Sequence, residues 1–105
     1  MEKASSKPMS FLYLVADIYP NPENRVEALE AYQTLIEKSL AEPGCVFYDL
    51  VIDPNTPDVW HMLEKWESKA HWDEHMKTDH VKAISLLEPD LTLKPTVLNF
   101  FEAAS

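Results

Sequence analysis

The sequence predicts an α+β fold, an antiparallel sheet with helices on one face, in a chain that pairs with a copy of itself. Three observations predict it. The 105 residues suffice for one hydrophobic core and leave no room for a second. Strand-like segments alternate with capped helical patterns in the order β, α, β, β, α, β. Several of the strands are apolar on both faces, which helices on one side alone cannot cover.

Residues 1–10, with Lys3, Ser5, Ser6, Lys7 and Pro8, lack the apolar stretch of a signal peptide and read as a flexible tail ahead of one domain over 11–105. Phe11 to Tyr19 is a strand closed by Pro20-Asn21-Pro22. Leu12, Leu14, Ala16 and Ile18 fall on one face; Phe11, Tyr13, Val15 and Tyr19 fall on the other with Asp17. Asn21 caps the first helix with Pro22 at its first position, and Val26, Leu29, Tyr32 or Gln33, Ile36 and Leu40 follow at helical spacing. Glu42-Pro43-Gly44 ends that helix, because Pro43 disfavours helix before it and Gly44 tolerates the positive φ of a reversal. Tyr32 and Leu35 are core candidates.

Cys45 to Asp53 and Val59 to Trp66 form an antiparallel hairpin around the turn residues 53–58. In the second of these strands Trp60, Met62, Glu64 and Trp66 share one face. Ser68 caps a short helix through Met76; Thr78 caps another that carries Val81, Ile84 and Leu87 until Pro89 stops it. Thr96 to Glu102 is the last strand. This order is the split βαβ of ferredoxin-like domains, a four-stranded antiparallel sheet with one face left bare. A second copy closing that face about a twofold axis is the simplest cover.

The net charge of −9, without a Lys/Arg cluster, argues against nucleic acid and anionic membranes as partners. No apolar run is long enough to span a bilayer. The single Gly and the absence of phosphate-loop patterns argue against nucleotide cofactors. A lone Cys45 excludes an intrachain disulfide and fits a reducing, cytoplasmic setting.

Glu42-Pro43-Gly44-Cys45, Tyr48, Glu64-Lys65-Trp66-Glu67-Ser68 and His75-x4-His80, in this order and spacing, resemble the antibiotic biosynthesis monooxygenase family. The similarity runs from about Phe11 to Phe101 and is greatest to bacterial quinol monooxygenases. It implies a homodimeric α/β barrel that needs no metal, flavin or haem. It also implies an electron-rich phenolic substrate that, once deprotonated, reduces O₂ itself; the resulting peroxide loses water to give a quinone.

Such chemistry requires a base, an apolar cavity and flat walls. His75 and His80 suit proton transfer near neutrality, and Glu64, between Met62 and Trp66, suits a base raised in pKa by burial. Trp66, Trp60, Trp72, Met62, Phe47 and Tyr48 could form the walls. Each also has a structural reading: core packing for the aromatic residues, loop bonding for the histidines, and a paired buried donor for Glu64. His71 and His75, four apart near Glu74 and Asp79, could hold a metal, although such pairs on polar helices are usually solvated, and no metal is expected.

In the family's anthrone-oxidising branch an Asn, Trp, Tyr and Arg set recurs; here those positions are Met62, Trp66, Trp72 and Leu86, so only Trp66 is retained. In the haem-degrading branch the axial His falls near Ser85, which cannot ligate iron as an imidazole does. The expected activity is therefore cofactor-independent oxidation of a small quinol-like or other aromatic substrate by O₂. A non-enzymatic small-molecule binding or sensing dimer, and an isomerase on the same scaffold, are the alternatives.

Overall fold

The computed structural model describes residues 10–104, so the expected tail lies outside the described residues apart from Ser10. Strands β1 (Leu12–Ile18), β2 (Cys45–Ile52), β3 (Trp60–Trp66) and β4 (Val97–Glu102) form one sheet, all neighbours antiparallel, in the order β2-β3-β1-β4. Helices α1 (Arg25–Leu40), α2 (Lys69–His75) and α3 (Asp79–Leu91) complete a βαββααβ chain, the ferredoxin-like α+β fold expected. The predicted caps are in place: the side chains of Ser68 and Thr78 accept the backbone N–H of His71 and Val81. Asn21 caps a short 3₁₀ turn, Pro22–Asn24, that leads into α1.

The core lies between the sheet and the helices. Leu14, Ala16 and Ile18 of β1 and Trp60, Met62, Glu64 and Trp66 of β3 are buried against it. On α1 the buried stripe is Ala28, Tyr32, Leu35 and Ser39, whereas Val26, Leu29 and Leu40 of the expected stripe are exposed. Two small side chains, Ala28 and Ser39, belong to this stripe and are fully buried, as close packing allows where no large side chain stands between.

Pro89 does not end α3, which continues to Leu91 with the proline in its last turn. Leu91 is buried in place of Leu87, and the loop after β1 receives the helix end: Asn21 N–H donates to Leu91 O at 2.8 Å and Asn24 Nδ2 to Asp90 O at 2.8 Å. A helix end so capped tolerates one missing N–H.

A register shift between Cys45 and Phe47 changes the facing in β2. Cys45, Tyr48, Leu50 and Ile52 pair with Trp66, Glu64, Met62 and Trp60 on the helix side, while Phe47, Asp49 and Val51 pair with Lys65, Leu63 and His61 on the open side. That open side also carries Tyr13, Val15, Val97 and Phe101. One polar set interrupts it: Asp17 pairs with His61 Nδ1 at 2.8 Å and accepts from Asn99 Nδ2 at 3.1 Å. No helix among the described residues is long and apolar enough to cross a membrane.

Candidate functional site

The chain reversal after α1 and the junction of α2 with α3 meet over the β2–β3 end of the sheet. Gly44 takes φ of +84° there, and a Cβ on it would collide with the ring of His71. The reversal therefore requires glycine twice over, for its dihedral and for the close approach. Thr78 Oγ1 donates to His75 O at 2.7 Å while capping α3, which fixes the end of α2 against the start of the next helix. Glu42, His75 and His80 are thereby brought together from three segments.

His75 Nδ1 and His80 Nε2 each lie 2.6 Å from the same oxygen, Glu42 Oε2. The His75 side chain is only 3% exposed. An imidazole whose Nδ1–H donates to a carboxylate presents an unprotonated Nε2. That nitrogen lies 3.4 Å from Tyr48 Oη. Burial lowers the His75 pKa, with Glu42 acting in the opposite direction, so the ring is neutral at pH 7. Trp66 lies beside it, ring centroids 4.6 Å apart.

Glu64 is the second titrating group. Its carboxylate accepts Trp66 Nε1–H at 3.0 Å and is 4% exposed. Burial pushes its pKa up from 4.5 to about 7, opposed by hydrogen bonds from Trp66 and Tyr48. Burial also raises the Tyr48 phenol, which stays protonated, and Cys45 is pushed up to about 12 by burial and by Glu42, which leaves it an unreactive thiol.

A cavity of about 180 Å³ lies between the sheet and the helices. Of the residues expected at the site, His75, Glu64, Met62, Trp72 and Tyr48 line it. Trp72 also packs edge-on against Phe100. Four others do not line it. Trp66 is fully buried in the layer behind, where it contacts both Glu64 and His75. His80 reaches the site only through Glu42 and lines a separate groove between α1 and α3. Trp60 is core, edge-on to Tyr32 and under Arg25. Phe47 faces away across from Lys65, since successive residues of a strand point to opposite faces.

Glu42 is the functional candidate that sequence reasoning missed; its Glu-Pro-Gly context reads as a helix stop, and no local signal ties it to two histidines 33 and 38 positions away. Glu42, His75 and His80 also place three ligand atoms within 4.8 Å of one another, a set that could bind a divalent cation in place of the His71 and His75 pair. His71 is engaged elsewhere, its Nδ1 2.7 Å from Ser68 Oγ. The two 2.6 Å contacts to one oxygen are hydrogen-bond distances that satisfy the three residues without an ion.

A family model described as antibiotic biosynthesis monooxygenase matches residues 11–85. An uncharacterized protein of Synechocystis, sll1783, is 28% identical over 93 residues, 89% of this chain; the chain spans 63% of that relative's length. A protein of Escherichia coli named "Probable quinol monooxygenase YgiN" is 32% identical over 84 residues, 70% of this chain and 81% of that protein. Among solved structures, a conserved protein from Methanosarcina mazei superposes with a TM-score of 0.83 at 31% identity, covering 89% of this chain and 92% of that one.

Proposed function

The chain belongs to the antibiotic biosynthesis monooxygenase family, and from that premise we propose that it oxidises a small quinol-like aromatic with O₂, without metal or organic cofactor. One observation carries the reading: the imidazole of His75, held by Glu42 at 2.6 Å, lines a largely apolar cavity. The name of the Escherichia coli relative, "Probable quinol monooxygenase YgiN", supports the substrate class. The cavity volume, about 180 Å³, is close to the ~150 Å³ that admits benzene in an engineered apolar core, and so suits one substituted ring or two compact ones.

In the proposed reaction His75 Nε2 takes the phenolic proton, and the electron-rich ring gives one electron to O₂. The ring radical and superoxide couple at carbon, forming a C–O bond, and the peroxide anion takes a proton. Loss of the proton on that carbon then cleaves the O–O bond. One oxygen atom stays on the ring as the quinone carbonyl and the other leaves as water, so substrate plus O₂ gives quinone plus H₂O. Protonated Glu64, with a pKa of about 7, donates a hydrogen bond to the oxygen on which charge develops. Trp66 holds that carboxyl, and Trp72 and Met62 wall the ring. The open sheet face pairs with a second copy to complete a dimeric barrel.

The test is oxygen uptake with a naphthoquinol, using protein treated with EDTA and freed of chelator. Uptake matched by quinone formation, and lost in His75→Ala, is expected. Ligand binding without uptake would favour a sensing dimer, and conversion under nitrogen would favour an isomerase.

A further inference from the structure

The same cavity has a second polar end that the proton-transfer chemistry leaves unused. Glu88 of α3 lines it together with Tyr32 of α1 and Thr96, the residue before β4. Tyr32 Oη donates to Glu88 Oε2 at 2.6 Å, and Thr96 Oγ1 donates to the same oxygen at 2.9 Å. Burial and the carboxylate raise the Tyr32 pKa, so that hydroxyl keeps its proton and remains a donor. Both internal donors thus occupy Oε2, and Oε1 has no protein partner among the described residues.

The two polar ends are well separated. Glu64 stands opposite Leu14 across the β1–β3 ladder, whereas Thr96 precedes Val97, the partner of Asp17. Thr96 thus falls at the level of Ile18, and at ~3.3 Å per strand residue the four residues from Leu14 put the two levels roughly 13 Å apart along β1. Between them Ala16 and its two ladder partners, Met62 and Leu98, supply apolar wall. Glu88 and Ser85 also line an outer cleft with Lys94, which places the carboxylate where the cavity meets the surface.

An ionised carboxylate accepts hydrogen bonds and gives none. We propose that Glu88, positioned by Tyr32 and Thr96, is a second recognition site that binds a hydroxyl at the far end of the substrate. The substrate class is then a flat aromatic with hydroxyls at two opposite ends, not a monophenol. This rests on the reading above only for what happens at the His75 end.

The experiment compares dissociation constants, from quenching of tryptophan fluorescence, for 2,6-dihydroxynaphthalene and its monomethyl ether, 6-methoxy-2-naphthol. The wild-type protein should prefer the diol by on the order of tenfold, the worth of a hydrogen bond to a charged acceptor. In Glu88→Gln the amide oxygen keeps the Tyr32 and Thr96 bonds and turns an NH₂ donor into the cavity, so the preference should vanish or reverse. Melting temperature checks that this nearly isosteric variant stays folded, and Thr96→Val, which removes one of the two donors on Oε2 and leaves Tyr32 in place, should retain the diol preference. An unchanged ratio in Glu88→Gln, or no binding of either ligand, overturns the proposal. Oxygen uptake with a naphthoquinol is scored separately. A Glu88-dependent ratio without uptake rejects the oxygenase and keeps the recognition site; uptake with an unchanged ratio does the reverse.

Discussion

His75 and His80 share one oxygen: the Nδ1 of the first and the Nε2 of the second both lie 2.6 Å from Glu42 Oε2. Only His75 faces the cavity, while His80 holds the carboxylate from the far side. A carboxylate at Nδ1 favours the tautomer with Nε2 unprotonated, so the three residues form one hydrogen-bonded unit.

Replacement of His75 by Ala should lower quinol turnover by about two powers of ten, the usual worth of a positioned base. Glu42→Gln, which keeps the size but not the charge, should lower kcat by about ten- to a hundredfold with a smaller change in KM, because it disturbs the base and not the cavity walls. Steady-state oxygen uptake measures both. Equal kcat in Glu42→Gln and wild type would remove Glu42 from the mechanism.

The pH dependence of kcat/KM should be a bell. In the proposed mechanism activity needs neutral His75, whose pKa burial holds below 6.5, so the acid limb falls below that pH. It also needs protonated Glu64, so the alkaline limb lies near pH 7. Glu64→Gln keeps a donor that does not titrate, and the alkaline limb should disappear. Its persistence in that variant would assign the limb to another group.

Stability should follow Glu64 with a definite sign. Its folded pKa is raised, so the folded state holds the proton more tightly than the unfolded chain does, and stability falls as pH rises between 4.5 and about 7. Above that range the cost of the buried anion is about 3 kcal/mol, from a change of ~2.5 pH units at 1.36 kcal/mol each. Relative to wild type, Glu64→Gln should gain stability by that order from pH 4.5 to 8. Urea unfolding at several pH values tests it, and a flat difference would place the ionised carboxylate in a better-solvated setting.

Gly44→Ala should destabilise the chain by about 2 kcal/mol or more, since alanine disfavours positive φ and its methyl would displace His71. The same displacement should perturb Glu42, two residues away, and reduce turnover. Thermal melts and oxygen uptake on one preparation separate the two effects.

Light scattering at micromolar concentration should report a dimer. Val97, Phe101 and Val51 are 46%, 52% and 39% exposed on the open sheet face, more apolar surface than a stable monomer usually presents. Phe101→Glu should shift the dimer toward monomer. A wild-type protein that stays monomeric and folded would leave the open face without the proposed partner.

The sequence by itself determined the element order, because alternation, caps and turn residues are local signals: Ser68, Thr78 and Gly44 do in the structure what their types and positions predict, while Asn21 caps the 3₁₀ turn ahead of α1 and not the helix itself. It also determined that Glu64 shares a face with Met62 and Trp66, since period two leaves no other arrangement. Tertiary structure decided the rest. Which stripe of α1 is buried, and whether α3 survives Pro89, depended on close approach and on capping by a distant loop. The shift in β2 put Cys45 on the same side of the sheet as Tyr48, where strict alternation would have set them apart. Glu42 joined His75 across 33 positions and His80 across 38, and no periodicity within one element encodes a contact between three. Local chemistry fixes what each residue can do, and packing chooses which of them meet.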